Sequence, residues 1–422
     1  MRGESMKGKM LRRGLLLVAM VTAILISSPF SLQADKNDKK KKKSDEKAET
    51  DAKIKAIDYS YIVWPNPPAI ARIKYVNWFS SDKAVRNLQG NAQKQNKWMD
   101  RLAGTQSSDE VFKMPFQLLQ PYGLAVDSKG SLYVADTKVG AVFIFNTETR
   151  EVDLIKNSVH AHFVRIIGLA MDDNDRLFVS DPGLKHVLVF DKDHKAEDVI
   201  TDGMAGPGGL AIDTRNRLLY VADVDLDQVI VYDADTLKLL RKIGTTGHNH
   251  ELTTPGDFSK PTGVAVDSEG NLYVADTMNN RIEIFDADGQ FVSTFGKSGD
   301  GPGYFARPKG VAVDNDGHIW VADGVQDRVQ VFNKEGQLLI AIGGHGLLPG
   351  QFQGLVGITI DNKRNRVFTS EIYPGRTQEF QYVTDAEADQ EREKRAAERQ
   401  KKADAKTSAA PAQPAAEAAK PN

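Results

Sequence analysis

One pattern occurs six times in this sequence, and the repetition constrains the fold more than any other feature. A glycine, an aliphatic residue, alanine or threonine, a second aliphatic residue and an aspartate follow one another from residues 123, 168, 209, 263, 310 and 357. Successive copies are 45, 41, 54, 47 and 47 residues apart. A period in this range is typical of repeat architectures, in which each unit packs against its neighbours. The chain is therefore built from six similar units.

Each unit contains short β-rich segments separated by turns of glycine, aspartate and asparagine. The fourth unit shows them most clearly, with LYVAD at 272–276, IEIFD at 282–286 and GQFVSTFG at 289–296 after the glycine pattern. Four such strands per unit describe one antiparallel blade of a propeller. A helical solenoid would need apolar spacings of three and four, which these segments lack. We therefore predict an all-β, six-bladed β-propeller, with blades that start near residues 121, 166, 207, 261, 308 and 355.

The sixth unit ends after its third strand, which would leave an unpaired sheet edge. The segment ARIKYVNWF, residues 71–79, is β-branched and aromatic and resembles the fourth strands of other units. We expect it to close the ring as the outer strand of the last blade. Residues 83–104 are polar with scattered apolar side chains, and we expect a helical insertion there, outside the ring.

The two ends of the chain differ from the propeller at 59–383. Residues 1–34 combine a basic start, an apolar run at 15–26 and a small residue, Ala34, which is the layout of a secretory signal peptide. Twelve residues span about 18 Å as a helix, which is short for a bilayer, although an uncleaved inner-membrane anchor over 15–32 stays open. Residues 35–58 are a charged linker, and residues 384–422 are charged and then Ala/Pro-rich, so we expect both to be disordered. The predicted location is the periplasm or the cell exterior.

Charge and cysteine content exclude several functions. Residues 59–383 contain 33 basic and 41 acidic side chains, a net charge of −8, whereas nucleic-acid binding normally requires a positive surface. The chain has no cysteine, which excludes disulfides, thiol catalysis and cysteine-ligated metal centres. We expect no nucleic-acid partner, membrane contact only through an uncleaved N-terminus, and a monomer.

The units resemble NHL repeats, and the layout is similar to exported bacterial six-bladed propellers of that family. A WPNPP lead-in at 64–68, an RIKYV strand at 72–76 and blades that begin with Pro-x-Gly carry the resemblance. It covers about residues 62–383. NHL propellers include ubiquitin-ligase scaffolds, sensor domains and a peptide-amide lyase, so the resemblance implies the fold and leaves the activity open.

An acidic residue ends the second strand of every unit. Recurrence in all six blades favours a structural role, because such a side chain caps the turn that follows it. In the fourth and fifth units we expect it to pair with an arginine five residues later, Arg281 or Arg328. The six residues are Asp136, Asp181, Asp223, Asp276, Asp323 and Glu371.

Five histidines fall in connections between one blade and the next, which share a face of a propeller. They are His160, His162, His248, His250 and His345. Imidazoles that converge near the axis would hold a divalent metal, and the resemblance to the amidating lyase implies such a zinc site. No nucleophile, base or oxyanion motif accompanies them. We therefore expect these histidines to contribute to ligand binding, with no cofactor, and keep a divalent metal as the alternative.

Two functions follow. The favoured one is a non-catalytic scaffold or sensor that binds a protein, peptide or glycan, because a propeller presents loops from six blades on one rigid face. The alternative is a metal-dependent lyase or hydrolase with its site in the axial funnel.

Overall fold

A computed structural model of the protein describes residues 58–81, 117–158, 161–245 and 254–408. Six antiparallel sheets surround one axis, and the first strand of each sheet contacts the first strands of the sheets on either side. The contacts run once around the ring and return from the last sheet to the first. The predicted six-bladed β-propeller is confirmed.

The strands are numbered in chain order. Two precede the first blade: β1 (Val63–Trp64) and β2 (Ile73–Phe79). Blade one contains β3 (Pro121–Val126), β4 (Leu132–Asp136), β5 (Ala141–Phe145) and β6 (Val152–Ile155). Blade two contains β7 (Leu169–Met171), β8 (Leu177–Asp181), β9 (His186–Phe190) and β10 (Ala196–Ile200). Blade three contains β11 (Pro207–Asp213), β12 (Leu218–Asp223), β13 (Gln228–Asp233) and β14 (Leu239–Ile243).

The second half of the ring repeats this order. Blade four contains β15 (Pro261–Val266), β16 (Leu272–Asp276), β17 (Arg281–Phe285) and β18 (Phe291–Phe295). Blade five contains β19 (Pro308–Val313), β20 (Ile319–Asp323), β21 (Arg328–Phe332) and β22 (Leu338–Gly343). Blade six contains β23 (Leu355–Asp361), β24 (Arg366–Glu371) and β25 (Arg376–Tyr382), and one helix, α1 (Asp385–Ser408), follows.

The hydrophobic core lies in layers between adjacent blades. Every residue of β4, β8, β12, β16 and β20 is buried, since these second strands have a neighbouring blade on both faces. This explains why their sequences are continuous apolar runs instead of alternating ones. The fourth strand β18, by contrast, lies at the rim and is mostly exposed.

The glycine of each repeat lets neighbouring blades approach closely at the axis. A Cβ on Gly168 would lie 2.1 Å from the carbonyl oxygen of Gly208 in the next blade. A Cβ on Gly357 would lie 2.3 Å from the carbonyl oxygen of Tyr122, at the junction of the last blade with the first. No side chain fits at either distance, so the repeat requires glycine there.

The N-terminal strand β2 closes the ring. It pairs antiparallel with β25, with Ile73 opposite Tyr382 and Phe79 opposite Thr377, and β1 adds a fifth strand outside it. Blade six therefore combines three strands from the end of the propeller with two from its beginning. The predicted closure by an N-terminal strand is confirmed.

The prediction of a disordered tail from residue 384 was wrong for Asp385–Ser408, which form α1. Thr384 and Glu387 form a reciprocal capping box at the start of the helix. Asp385 pairs with Arg72 beside β2, and Ala388 is fully buried. The first turn is therefore docked on the propeller, and this contact compensates for the lack of an apolar stripe along the helix.

Several predicted features lie outside the described residues. They are the signal peptide at 1–34, nearly all of the linker at 35–58, the helical insertion at 83–104 and the Ala/Pro-rich end after residue 408. Within the described part of the chain, no helix has the length and apolar character that crossing a bilayer requires.

Candidate binding face and axial funnel

The recurring acidic residues join two loops of each blade. Asp136 is fully buried, and its carboxylate accepts hydrogen bonds from the amides of Leu119 and Gln120 at 2.5 and 3.0 Å and of Lys138 and Val139 at 3.0 and 2.8 Å. The first pair belongs to the segment that enters the blade and the second pair to the loop after the strand. The same bonding occurs at the equivalent residues Asp181, Asp223 and Asp323.

Two of these acidic residues bind an arginine. The Asp276 carboxylate lies 2.8 Å from Nε of Arg281, and Glu371 lies 2.9 Å from Nε of Arg376. Burial raises the pKa of both carboxyl groups, and the hydrogen bonds and the arginine oppose that rise. The spacing of five residues could have identified Arg376 as it identified Arg281.

The expected partnership of Arg328 is not formed. Arg328 lies opposite Asp323 in the strand register. However, the Asp323 carboxylate accepts hydrogen bonds from the backbone amides of residues 306, 307, 325 and 326. Its oxygens are occupied by the two loops, and no ion pair between described residues joins it to Arg328.

The described histidines do not converge on the axis. His162 is exposed in the loop that enters blade two, close to His186, whose pKa is lowered by burial and by that second imidazole. His345 belongs to the loop that enters blade six, and its Nδ1 lies 2.7 Å from Oδ2 of Asp327. His160, His248 and His250 lie outside the described residues. Among the residues that are described, no group of three or more His, Asp or Glu side chains is placed to hold a metal.

The two faces of the propeller differ. We call the face made by the loops between second and third strands, and by the connections between blades, the loop face. The turns between first and second and between third and fourth strands form the turn face. An axial funnel of about 300 Å³ opens on the loop face. The residue before each repeat glycine lines it, and these six mouth residues are Tyr122, Ile167, Gly208, Thr262, Lys309 and Val356.

The funnel carries positive charge. Arg165 and Lys309 line it from blades two and five, which are opposite each other in a six-bladed ring. Lys309 is half-buried, and its pKa is lowered by burial and by the nearby Arg307. The one carboxylate in the lining, Asp225, lies 3.9 Å from Nζ of Lys260. No ion pair within the described ranges involves Arg165 or Lys309.

The loop face carries exposed apolar side chains. Val325 and Leu348 are 65 and 66% exposed, and seven more large apolar residues on the loop face are at least 36% exposed. These seven are Leu119, Val139, Val164, Leu184, Met278, Leu347 and Tyr373. The other exposed large apolar residues in the described ranges lie on outer strands or near β1, and the turn face has none.

Aspartates dominate the opposite end of the axis. A second cavity of about 440 Å³ opens on the turn face, and Asp127, Asp172, Asp173, Asp175 and Asp361 line it. Several of these carboxylates cap turns of their own blades, as Asp127 does for Lys129. The structure therefore separates a funnel lined by two cations from a cavity lined by aspartates, three of which (Asp172, Asp173 and Asp361) pair with arginines.

Sequence reasoning missed this apolar rim, although the loops carry a signal for it. Each four-residue loop between second and third strands contains a large apolar side chain among polar residues and glycine, for example Val139 in TKVG and Met278 in TMNN. A loop exposed to solvent has no packing reason to keep such a residue in every blade. The recurrence could therefore have indicated a surface for contact.

Models of known protein families match most of the blades. The NHL repeat model matches residues 118–145 and 305–332, in blades one and five. The chain contains NHL repeats. A second model, for the SMP-30/Gluconolactonase/LRE-like region, matches residues 169–296 of this NHL-repeat propeller.

Known relatives share parts of the NHL-repeat propeller. A protein of Caenorhabditis elegans described as a probable peptidyl-alpha-hydroxyglycine alpha-amidating lyase is 40% identical over 92 residues, which is 21% of this chain and 24% of the relative. Human NHL repeat-containing protein 2 is 34% identical over 91 residues, 21% of this chain and 12% of the relative. The matched segments thus span less than a quarter of either relative.

A solved structure has the same type of fold. A Bacteroides thetaiotaomicron protein of unknown function superposes with a TM-score of 0.51 and 17% identity, over 63% of this chain and 70% of the other. At this identity the likeness concerns the fold alone.

Proposed function

We propose that this NHL-repeat propeller is a non-catalytic binding module that docks a protein or peptide partner on its loop face. The observation that carries the proposal is that nine exposed large apolar side chains lie on this face. Large apolar side chains that are exposed together on one face of a soluble domain generally mark an interaction site.

The buried acidic residues support a rigid platform. Asp136 and its equivalents tie the loops of the loop face to the blades, so these loops need little ordering when a partner binds. A surface that is already ordered loses less conformational entropy on association. The turn face lacks exposed large apolar side chains in its described part, which favours docking on one side only.

Site-specific photo-cross-linking tests the docking face. A benzophenone amino acid is placed at Val325 on the loop face or at the exposed Asp288 on the turn face, in the full chain expressed in its native cells. We expect Val325 to give a covalent adduct of one defined mass and Asp288 to give none. Equal adducts from both positions, adducts from Asp288 alone, or none from either would contradict the proposal.

We also propose that the protein is exported and cleaved after Ala34, on the basis of the apolar run at 15–26 behind a basic start. N-terminal sequencing of the protein from its native cells tests this. A first residue of Asp35 in a periplasmic or secreted fraction supports cleavage. An uncleaved N-terminus, found in the membrane fraction, would instead support a membrane anchor over residues 15–32.

A metal-dependent lyase or hydrolase is the second candidate, because a segment of 92 residues is 40% identical to the probable amidating lyase. Metal analysis of the purified full chain tests it, with less than about a tenth of an equivalent after dialysis counting against it. A variant with alanine at His248, His250 and His345 that keeps its metal content would place any metal elsewhere.

A further inference from the structure

The axial funnel combines two features that a single ligand group would satisfy. Arg165 and Lys309 line it from opposite blades, and neither has a carboxylate partner within the described ranges. Ile167, Val224 and Val356 form an apolar part of the same wall. One cavity therefore presents cationic and apolar surface together.

Blade five is shaped to hold Lys309. A Cβ on Gly324 would lie 2.7 Å from the carbonyl oxygen of Leu355 in the next blade, and 3.1 Å from Cδ and 3.3 Å from Cε of Lys309, so a larger residue would crowd both that backbone and the stem of the lysine. The residues at the equivalent position of the other five blades all have a side chain: Thr137, Pro182, Val224, Thr277 and Ile372. The blade with lysine at the funnel mouth is thus the blade with glycine beside it.

Backbone contacts fix this part of the mouth. The hydroxyl of Thr262 donates a hydrogen bond to the carbonyl oxygen of Lys309 at 2.9 Å, and its oxygen lies 2.6 Å from the hydroxyl oxygen of Thr277. The Thr277 hydroxyl in turn donates to the carbonyl oxygen of Pro308 at 2.8 Å. These hydrogen bonds therefore hold the backbone of Lys309 in place on β19.

The charge of the funnel is opposite to that of the propeller. Residues 59–383 carry a net charge of −8, but the lining holds two cations and one carboxylate, and Lys260 lies beside that carboxylate. A cavity with partly desolvated cations attracts an anion more strongly than an open surface does. The funnel is therefore complementary to a single negative group.

We propose that the funnel binds the C-terminal carboxylate of a protein partner whose last residue is apolar. This inference rests on the proposed function, because the rest of that partner lies on the loop face. The C-terminal residue of a chain has its carboxylate and its side chain on the same Cα atom. An apolar last residue therefore matches both the cationic and the apolar part of the funnel lining. An internal Asp or Glu side chain ends in its carboxylate, with no apolar group beyond it.

Methyl NMR on the full chain tests the inference. The protein is labelled at isoleucine δ1-methyl groups, with Ile167 as the reporter in the funnel and the buried Ile284 as the reference. The probe is acetyl-Gly-Ser-Gly-Ala-Ala-Leu with a free C-terminal carboxylate. It is added to about 10 mM, because an isolated short peptide is expected to bind weakly. Comparison probes are its C-terminal amide, the amide with Glu as the last residue, and 4-methylpentanoate.

We expect the free acid to shift Ile167 and leave the reference Ile284 unchanged, with a dissociation constant at least about tenfold below those of the three comparison probes. Equal affinity for the amide, for the Glu probe or for 4-methylpentanoate would overturn the proposal. Equal affinity for the Glu probe would indicate that the funnel binds acidic side chains, and equal affinity for 4-methylpentanoate would indicate that it binds small organic acids.

Charge variants complete the test. K309M should weaken binding of the free acid by about tenfold or more, and K309R should retain most of it. The matched control is K363M, since Lys363 lines the cavity on the turn face. An unchanged affinity in K309M would overturn the proposal. A partner cross-linked through Val325 would then still support docking, so the two proposals can fail separately.

Discussion

At the scale of single residues, buried carboxylates bond separate loops to their blades. Asp136 accepts four backbone hydrogen bonds from two separate loops and has no exposed surface. Hydrogen bonds to a charged group contribute more than neutral ones, and removing the acceptor leaves buried amides without a partner. The residue therefore connects the loop face to the core of its blade.

Replacing this residue tests its role. We expect Asp136→Ala to lower the free energy of unfolding by about 2–4 kcal/mol, because several amides lose their acceptor. Urea denaturation at neutral pH measures the change. The control is Asp288→Ala on the turn face, which should stay within about 0.5 kcal/mol of the parent. A loss of similar size in the control would contradict this account.

At the scale of elements, the docking of α1 depends on a titratable network. His318 Nδ1 lies 3.1 Å from Oδ2 of Asp314 and 3.0 Å from the hydroxyl of Tyr382, and its Nε2 lies 3.9 Å from Asp385 in the first turn of α1. The Asp316 carboxylate accepts hydrogen bonds from the Tyr382 hydroxyl and from the backbone amide of Asp385. The Asp314 hydrogen bond, opposed by burial, raises the pKa of His318, with further contributions from Asp385 and Asp316.

This raised pKa gives a pH dependence with a defined sign. A group whose pKa is higher in the folded state contributes its full stabilisation below the unfolded value, about 6.5, and loses it as the pH rises through the folded value. As the pH rises from about 6 to about 8, we expect the free energy of unfolding of the protein to fall relative to that of His318→Gln. Urea midpoints of both proteins across this range measure the difference.

The comparison with His318→Gln isolates this imidazole from the other groups that titrate. His186 has a lowered pKa and therefore changes stability in the opposite direction, equally in both proteins. Arg72, which bonds Tyr382 and pairs with Asp385, keeps its charge throughout. A constant difference between the two proteins at every pH would contradict the assignment.

At the scale of the whole molecule, ring closure determines stability. Two contacts close the ring: β2 pairs with β25 inside blade six, and Gly357 of blade six lies close to the carbonyl oxygen of Tyr122 in blade one. The hydroxyl of Ser370 also donates to that oxygen at 2.5 Å. The first and last parts of the propeller thus meet at two places, in the outer part of blade six and at the axis.

Replacing Gly357 with alanine tests the contact between blades six and one. In Gly357→Ala the new Cβ would meet the Tyr122 oxygen at 2.3 Å, so the blades must separate, at a cost of about 1–3 kcal/mol or more. Gly301→Ala is the control, since its Cβ would meet its nearest neighbour at an ordinary 3.5 Å. Urea denaturation of both variants measures the effect. Equal stability of the two variants would show that closure tolerates a wider ring.

The repeats alone determined the six blades, the strand that completes the last one and the structural character of the acidic residues such as Asp136. These follow from local pattern and from the need to pair every sheet edge, which are properties of the chain in sequence order. The tertiary structure decided the rest. Three features show this: Arg165 and Lys309 line one funnel from opposite blades, Gly324 leaves space for a lysine stem on another strand, and α1 docks through Ala388. No periodicity specifies such contacts, because they depend on how rigid blades are placed around the axis.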